Sequence, residues 1–250
     1  MNIIKLNAID STNSYLKEMA VKKALDNYTV AVAKDQTAGR GQMGTTWISE
    51  KGKNLTFSML FKSTSFNVDH HFYLCMAASL AVLAVLKRHL NNALHVKWPN
   101  DILADGHKVA GMLIENILAG DQVKQTVIGV GLNVNQEIFP ADIGKVSSLK
   151  LCAGIDFHHD ALLIELIQSL THQLQRINAQ QFDLLRTGYY EHLYLFGCPA
   201  VFKDAQHKEF TGKISAVDQA GRLVIELRDG GLRSFQLKEV ALVALLPPEK

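Results

Sequence analysis

At 250 residues, 48% hydrophobic and 20% charged, the chain has the size and composition of a globular protein with one large domain, or a large one and a small one. Its 26 Lys and Arg against 24 Asp and Glu leave a formal charge of +2, which excludes the footprint of a dedicated nucleic-acid binder and any polybasic membrane patch. Cys75, Cys152 and Cys198 are odd in number and lack metal or redox spacing, and the first residues lack the basic and apolar regions of a signal peptide, so a reducing, cytoplasmic setting is expected.

Residues 3–9 suit a first strand, and Asp10, Ser11, Thr12, Asn13 and Ser14 then gather capping oxygens at the start of a helix expected to reach about residue 25. The β-branched and apolar run 29–33 predicts a strand leading into Gly39-Arg40-Gly41-Gln42-Met43-Gly44-Thr45-Thr46-Trp47. Closely spaced glycines let backbone N–H groups approach a ligand, and the interposed guanidinium offers paired donors to carboxylate or phosphate. The stretch is neither a Walker A loop nor a dinucleotide fingerprint. It suits an anionic ligand, and on its own it equally fits a surface turn with a solvated arginine.

Beyond Trp47, Leu55, Phe57, Met59 and Phe61 alternate with Thr56, Ser58 and Leu60, the period of a half-buried strand. Residues 73–90 predict a buried helix whose apolar run is too short to span a bilayer. A strand at 95–98 is cut by Pro99, and strands at 102–104 and from 108 flank an Asp105-Gly106 turn. Strands at 109–118 and 123–132 meet at Ala119-Gly120-Asp121-Gln122, and such tight turns imply a largely antiparallel sheet. Helical patterns occupy 160–178 and 181–193. From 199 to 246 short strands recur with turns at Asp204-Ala205, Asp218-Gln219-Ala220-Gly221 and Asp229-Gly230-Gly231, predicting a small barrel-like β-domain with its boundary near Gly197.

A second cluster carries chemistry. Lys97-Trp98-Pro99-Asn100-Asp101 sets an amide and a carboxylate at a rigid strand end, with Lys108 and Gly111 just past the next turn. Asn100 and Asp101 suit Mg²⁺ or nucleotide oxygens, and Lys108 suits charge on a phosphate undergoing displacement. The bland alternative is a capped turn and a solvated hairpin lysine. In Gly129-Val130-Gly131-Leu132-Asn133, a tight strand end explains the glycines and Asn133 invites a ligand role. His70-His71 and His158-His159 read as solvated or capping groups, the cysteines as small buried apolar residues, and Asp183 and Glu191 as exposed helical positions, with no general base assigned.

Ser11-Thr12-Asn13, Gln36-Thr37-Ala38-Gly39-Arg40-Gly41 with Trp47, Lys97-Trp98-Pro99-Asn100-Asp101, Lys108-Val109-Ala110-Gly111 and Gly129-Val130-Gly131-Leu132-Asn133, in this order, closely resemble the biotin protein ligases. The resemblance spans essentially the whole chain. It implies an α+β, class II synthetase-like catalytic domain over residues 1–197 and a small SH3-like β-barrel over 198–250. It also implies activation of biotin by ATP and Mg²⁺ to biotinyl-5′-adenylate, then transfer to a lysine of a biotin carboxyl carrier domain. On that basis Ser11, Thr12, Asn13, Gln36, Gly39, Arg40, Gly41, Gln42, Lys108 and Gly111 would bind biotin, with Arg40 and Lys108 catalytic. Arg40, Trp47, Asn100, Asp101, Lys108 and Asn133 would serve the nucleotide, and Asp101 the metal.

Two positions depart from the family pattern. Gln42 stands where many members have arginine, which predicts a weaker grip on the adenylate, and Leu237-Lys238-Glu239-Val240 stands where a Gly-Glu-Val is usual. Because Ser11-Thr12-Asn13 comes so early, no helix-turn-helix and no direct DNA binding are expected. Monomer and homodimer both fit. The rivals are a lipoate or octanoate ligase or transferase and a non-catalytic biotin-binding sensor.

Overall fold

The structure is a computed structural model, and it describes residues 2–63, 67–119 and 122–246. Strands β1 (Ile3–Leu6), β2 (Val30–Ala33), β3 (Leu55–Phe61), β4 (Leu94–Lys97), β5 (Asp101–Ala104), β6 (His107–Ala119) and β7 (Gln122–Leu132) form a seven-stranded sheet ordered β1-β2-β3-β7-β6-β5-β4. The β1–β2 pair is parallel because helix α1 (Thr12–Lys22) provides the crossover between them; the other pairings in this sheet are antiparallel. The expected α+β class with a mixed, largely antiparallel sheet is what the chain forms. The turn expected at 119–122 lies partly outside the described residues.

The first strand is shorter than expected. Its direction persists only as an isolated parallel bridge between Ile9 and Gln36, which carries the chain up to the Ser11 cap of α1. Strand β3 is not half-buried: all of its residues are buried. Phe57, Met59 and Phe61 enter the main core, while Leu60 packs with Leu16, Ala31 and Val127 beneath α1. Alternation in sequence therefore reports here a change of surroundings between two covered faces, not a change from core to water.

Helix α2 (His71–His89) is the apolar centre of the large unit, with every residue from Phe72 to Leu86 except Ala84 buried. It is long and apolar enough to cross a membrane by length and composition, yet most of it is packed inside the protein. A short helix α3 (Leu149–Ala153), capped by Ser148 and ended by Gly154 at φ 74°, was not expected. Helices α4 (His159–Asn178) and α5 (Phe182–His192) pack against α2. His70 stands at the N-cap position of α2 without a side-chain cap bond; its ring packs 4.8 Å from Phe182 and 6.0 Å from Tyr73. Asp183 and Glu191 are exposed on α5, as expected.

The tail forms β8 (Pro199–Asp204), β9 (Glu209–Val217), β10 (Leu223–Leu227), β11 (Leu232–Phe235) and β12 (Val240–Leu245), a five-stranded antiparallel sheet ordered β11-β10-β9-β8-β12. The rings of Phe202, Phe210 and Phe235 stack in sequence, with the Arg233 guanidinium over the last two. This unit is joined tightly to the larger one. Trp98 Nε1 donates to Gly221 O at 2.9 Å, Tyr190 Oη donates to Val217 O at 3.0 Å, and one buried apolar cluster runs through both units. Of the cysteines only Cys75 is buried; Cys152 is half-buried, and Cys198, in the connection just before β8, is exposed.

Candidate active site

One end of the site is a buried polar nest on the first turn of α1. Ser11, Thr12 and Asn13 are each 3% exposed. Ser11 spends its hydroxyl capping Ser14 N, which fixes where the helix begins. Thr12 donates to Gln36 Oε1 through its backbone N (2.8 Å) and its hydroxyl (3.0 Å), binding the helix start to the segment after β2. The Ser58 hydroxyl from β3 reaches Asn13 Oδ1 (2.6 Å) and Thr12 Oγ1 (2.8 Å), and Asn13 Nδ2 donates to Leu113 O (3.2 Å) and Glu115 Oε2 (3.0 Å). Asn13 can sit this low because residue 129 is glycine: a Cβ there would lie 2.3 Å from Asn13 Oδ1. The nest is rigid and presents no net charge of its own.

The glycine stretch folds back on itself as a small hairpin. Trp47 N donates to Gly39 O (3.0 Å), Gly41 N to Thr45 O (2.6 Å), and Arg40 bridges Thr46. Its tip is a 3₁₀ turn over Gln42–Gly44 with Met43 at φ 48°. Arg40 Nη2 meets Glu115 Oε2 at 2.5 Å, and Lys238 Nζ from the C-terminal unit donates to Met43 O at 2.8 Å. At the hairpin base the Trp47 ring lies on β7; a Cβ on residue 131 would come within 2.4 Å of the ring, so the glycine there makes room for it.

The other end is the corner between β4 and β5, where the Trp98–Pro99 bond is cis. Cys75 Sγ and Tyr189 Oη both donate to Pro99 O at 3.1 Å, clamping the corner from α2 and α5. Burial pushes the Cys75 thiol up to about 12, which fits a packing role and not a nucleophile. The Asn100 side-chain amide donates to Met112 O, locking the corner to β6. From β6, Lys108 Nζ pairs with Asp101 Oδ1 at 2.7 Å and stands 5.6 Å from the centre of the Trp47 ring. Gly111 faces this pair, leaving 3.2 Å from a built Cβ to Asp101 Oδ1 and 3.3 Å to Lys108 Nζ.

These ends share one cavity of about 560 Å³, within the range of small-molecule sites. It brings together Ser11, Thr12, Asn13, Gln36, Arg40, Gly41, Gln42, Trp47, Asn100, Asp101, Lys108 and Gly111. Gly39 and Asn133 are not on its lining. Gly39 serves the hairpin, since a Cβ there would lie 2.4 Å from Trp47 O. Asn133 is 2% exposed and donates to Ser147 O at 3.0 Å, holding the segment before α3. Sequence reasoning missed Ser58, Glu115 and the wall supplied by Leu237, Lys238, Val240, Ala241 and Leu242. For Glu115 a signal existed: a lone carboxylate inside the apolar strand Met112-Leu113-Ile114-Glu115 needs a partner. Among the described residues no cluster of three or more His, Cys, Asp or Glu side chains is placed to hold a metal.

A family model, described as the biotin/lipoate A/B protein ligase family, matches residues 6–133, a span that contains the cavity residues from Ser11 to Gly131 but not Tyr194 and Leu195. The chain belongs to this family. Among curated ligases, the bifunctional ligase/repressor BirA of Bacillus subtilis is 26% identical over 232 residues, covering 92% of this chain and 70% of that protein. The biotin–[acetyl-CoA-carboxylase] ligase of Mycobacterium tuberculosis is 37% identical over 146 residues, 56% of this chain and 52% of that one. Among solved ligase structures, the biotin protein ligase from Aquifex aeolicus in complex with biotin and ATP aligns with a TM-score of 0.79 at 26% identity, covering 97% of this chain and 99% of that one.

Proposed function

We propose that this cavity carries out both half-reactions of an ATP-dependent biotin protein ligase. In the first, a biotin carboxylate oxygen bonds to the α-phosphorus of ATP, the bond from that phosphorus to the bridging oxygen breaks, and pyrophosphate leaves. In the second, the ε-amine of an acceptor lysine bonds to the carbonyl carbon of biotinyl-5′-adenylate, the carbon–oxygen bond to phosphate breaks, AMP leaves and the amine proton passes to solvent. The observation that carries this reading is the union, in one cavity, of an uncharged buried polar nest with cations that include Arg40 and Lys108.

The chemistry requires that union. A carboxylate approaching a triphosphate meets like-charge repulsion, which fixed cations in a site shielded from water offset far better than mobile ions in bulk. Ser11, Thr12, Asn13, Gln36, Gly41 and Gln42 form the end that holds the acid, with Gly111 keeping the floor open beneath Lys108. Trp47 offers a flat apolar face to adenine, and Asn100 and Asp101 face the nucleotide from the clamped corner. Asn133, off the lining, holds Ser147, whose backbone N donates to Lys108 O. Among the described residues Asp101 is the one carboxylate on the cavity lining, and it suits Mg²⁺, which keeps most of its shell from water and nucleotide phosphates and takes one or two protein carboxylates. Magnesium would supply further charge neutralisation on the phosphates.

The acceptor fits the biotin carboxyl carrier domain of a biotin-dependent carboxylase, as relatives named biotin–[acetyl-CoA-carboxylase] ligase imply. The test is pyrophosphate release from ATP and Mg²⁺ with biotin or lipoate supplied separately. Biotin-dependent release that collapses in Lys108→Ala supports the reading. Release driven by lipoate assigns the chain to the lipoate side of the family, and no release with either acid, despite biotin binding, makes it a binding protein.

A further inference from the structure

Arg40 faces two ways. Its residue lines the main cavity and also a shallow outer depression shared with Ser14, Lys17, Glu18 and Glu115. The guanidinium is held on the outer side, 2.5 Å from Glu115 Oε2, while Glu115 itself is absent from the lining of the main cavity. The two partners differ in how firmly they are held. Glu115 stands on β6 opposite Val127, 18% exposed at its side chain, and the same Oε2 accepts from Asn13 Nδ2 in the acid nest; Lys17 adds a cation 3.6 Å from Oε1. Arg40 is 44% exposed on a hairpin that has few anchors beyond its own ladder and the Lys238 bond. When one member of an ion pair is fixed and the other is on a loop, the loop member is the one that changes partner.

We propose that Glu115 is a positioning residue that parks Arg40 at the rim of the cavity and yields it to the carboxylate or phosphate of an anionic ligand. The grip of the site on anions is then a competition between a protein carboxylate and the ligand. Because Glu115 is bonded to Asn13, ligand entering the acid nest disturbs the contact that holds Arg40 back, so filling that end favours closure of the hairpin over the phosphates. A ligand shifts such an equilibrium only by its differential interaction with the two arrangements, and the differential here is charge.

This inference rests on the reading of the cavity as a biotin site, and binding titrations separate the two. Biotin and its uncharged methyl ester are titrated into the native chain and into Glu115→Gln, which keeps the shape and an acceptor for Asn13. Removal of the competing charge is expected to tighten biotin by about fivefold, the scale of a partly exposed ion pair, and to leave the ester unchanged. Equal changes for acid and ester, or no change for either, would overturn the role of Glu115, as would weaker binding of biotin alone. In Arg40→Gln the Glu115→Gln effect on biotin should vanish; its persistence there would also overturn the proposal. If the native chain binds neither ligand, the biotin reading fails first and this one with it.

Discussion

Lys108 and Asp101 are paired at 2.7 Å across two strands that hydrogen-bond to each other, so this cavity cation is held in place by the one carboxylate that lines the cavity among the described residues. The pair sets opposite charges side by side on the cavity wall. Lys108→Ala is expected to lower kcat/KM for pyrophosphate release by about a hundredfold, the usual cost of deleting one preorganised charge at a reacting phosphate. Asp101→Asn should raise KM for ATP and weaken its dependence on Mg²⁺ while leaving biotin binding unchanged. Initial rates at varied ATP and Mg²⁺, with biotin titrations alongside, check both.

Glycines 129 and 131 lie two residues apart on β7 and support opposite ends of the cavity. Gly129→Ala would drive a methyl group to 2.3 Å from Asn13 Oδ1, and Gly131→Ala one to 2.4 Å from the Trp47 ring. Each overpacking is expected to cost about 1–3 kcal/mol of stability. The functional losses should separate: biotin affinity falls in the first, nucleotide affinity in the second. Calorimetric titration with each ligand measures the split.

The bond from Lys238 Nζ to Met43 O ties the C-terminal unit to the tip of the glycine hairpin. Lys238→Ala should release biotinyl-5′-adenylate roughly two- to fivefold faster, as expected for loss of one solvent-exposed charged contact. Gln42→Arg, next to that tip, should slow release. Dissociation of preformed adenylate followed by filter binding measures both variants.

Burial opposes the charge on Glu115, but the Asn13 hydrogen bond and the Arg40 and Lys17 cations outweigh it and hold the carboxyl below its ordinary value of 4.5. A carboxylate lowered on folding contributes stability that is fully present above its unfolded value and is lost as pH falls through its folded value. The native chain should therefore lose stability toward acid more steeply than Glu115→Gln, with the two curves parallel at neutral pH. Urea unfolding at stepwise lower pH measures the difference.

The membership of the cavity was legible where it depends on residue type in a fixed order. Asn13, Gln36, Arg40, Trp47, Asp101 and Lys108 announced themselves because polar groups crowd around glycine and proline, and the structure gathers them in one cavity. What escaped were relationships set by distance in space. Glu115 acquires meaning only once β6 passes under the hairpin, and Ser58 only once β3 is covered by α1. Asn133 lies off the lining, and in sequence an amide at a strand end looks the same whether it faces a ligand or satisfies the carbonyl of Ser147. The alternation of β3 misled for a related reason: Thr56 and Ser58 are polar yet buried, each bonded within the protein. Cys198 is exposed because the connection into β8 lies outside both cores, which a residue's apolar character alone does not reveal.

The shared packing at Trp98, Tyr190 and Phe72 against the C-terminal strands has a thermodynamic meaning. Phe72 fills the space that a Cβ on residue 221 would occupy, and the apolar cluster crosses the boundary near Gly197 without a break. Neither part can lose its structure without exposing the other's interior to water. On heating, the chain should therefore show a single heat-absorption peak, and a chain cut at that boundary should not retain the melting temperature of the whole. The small β unit is as much a part of the enzyme's interior as of its outline.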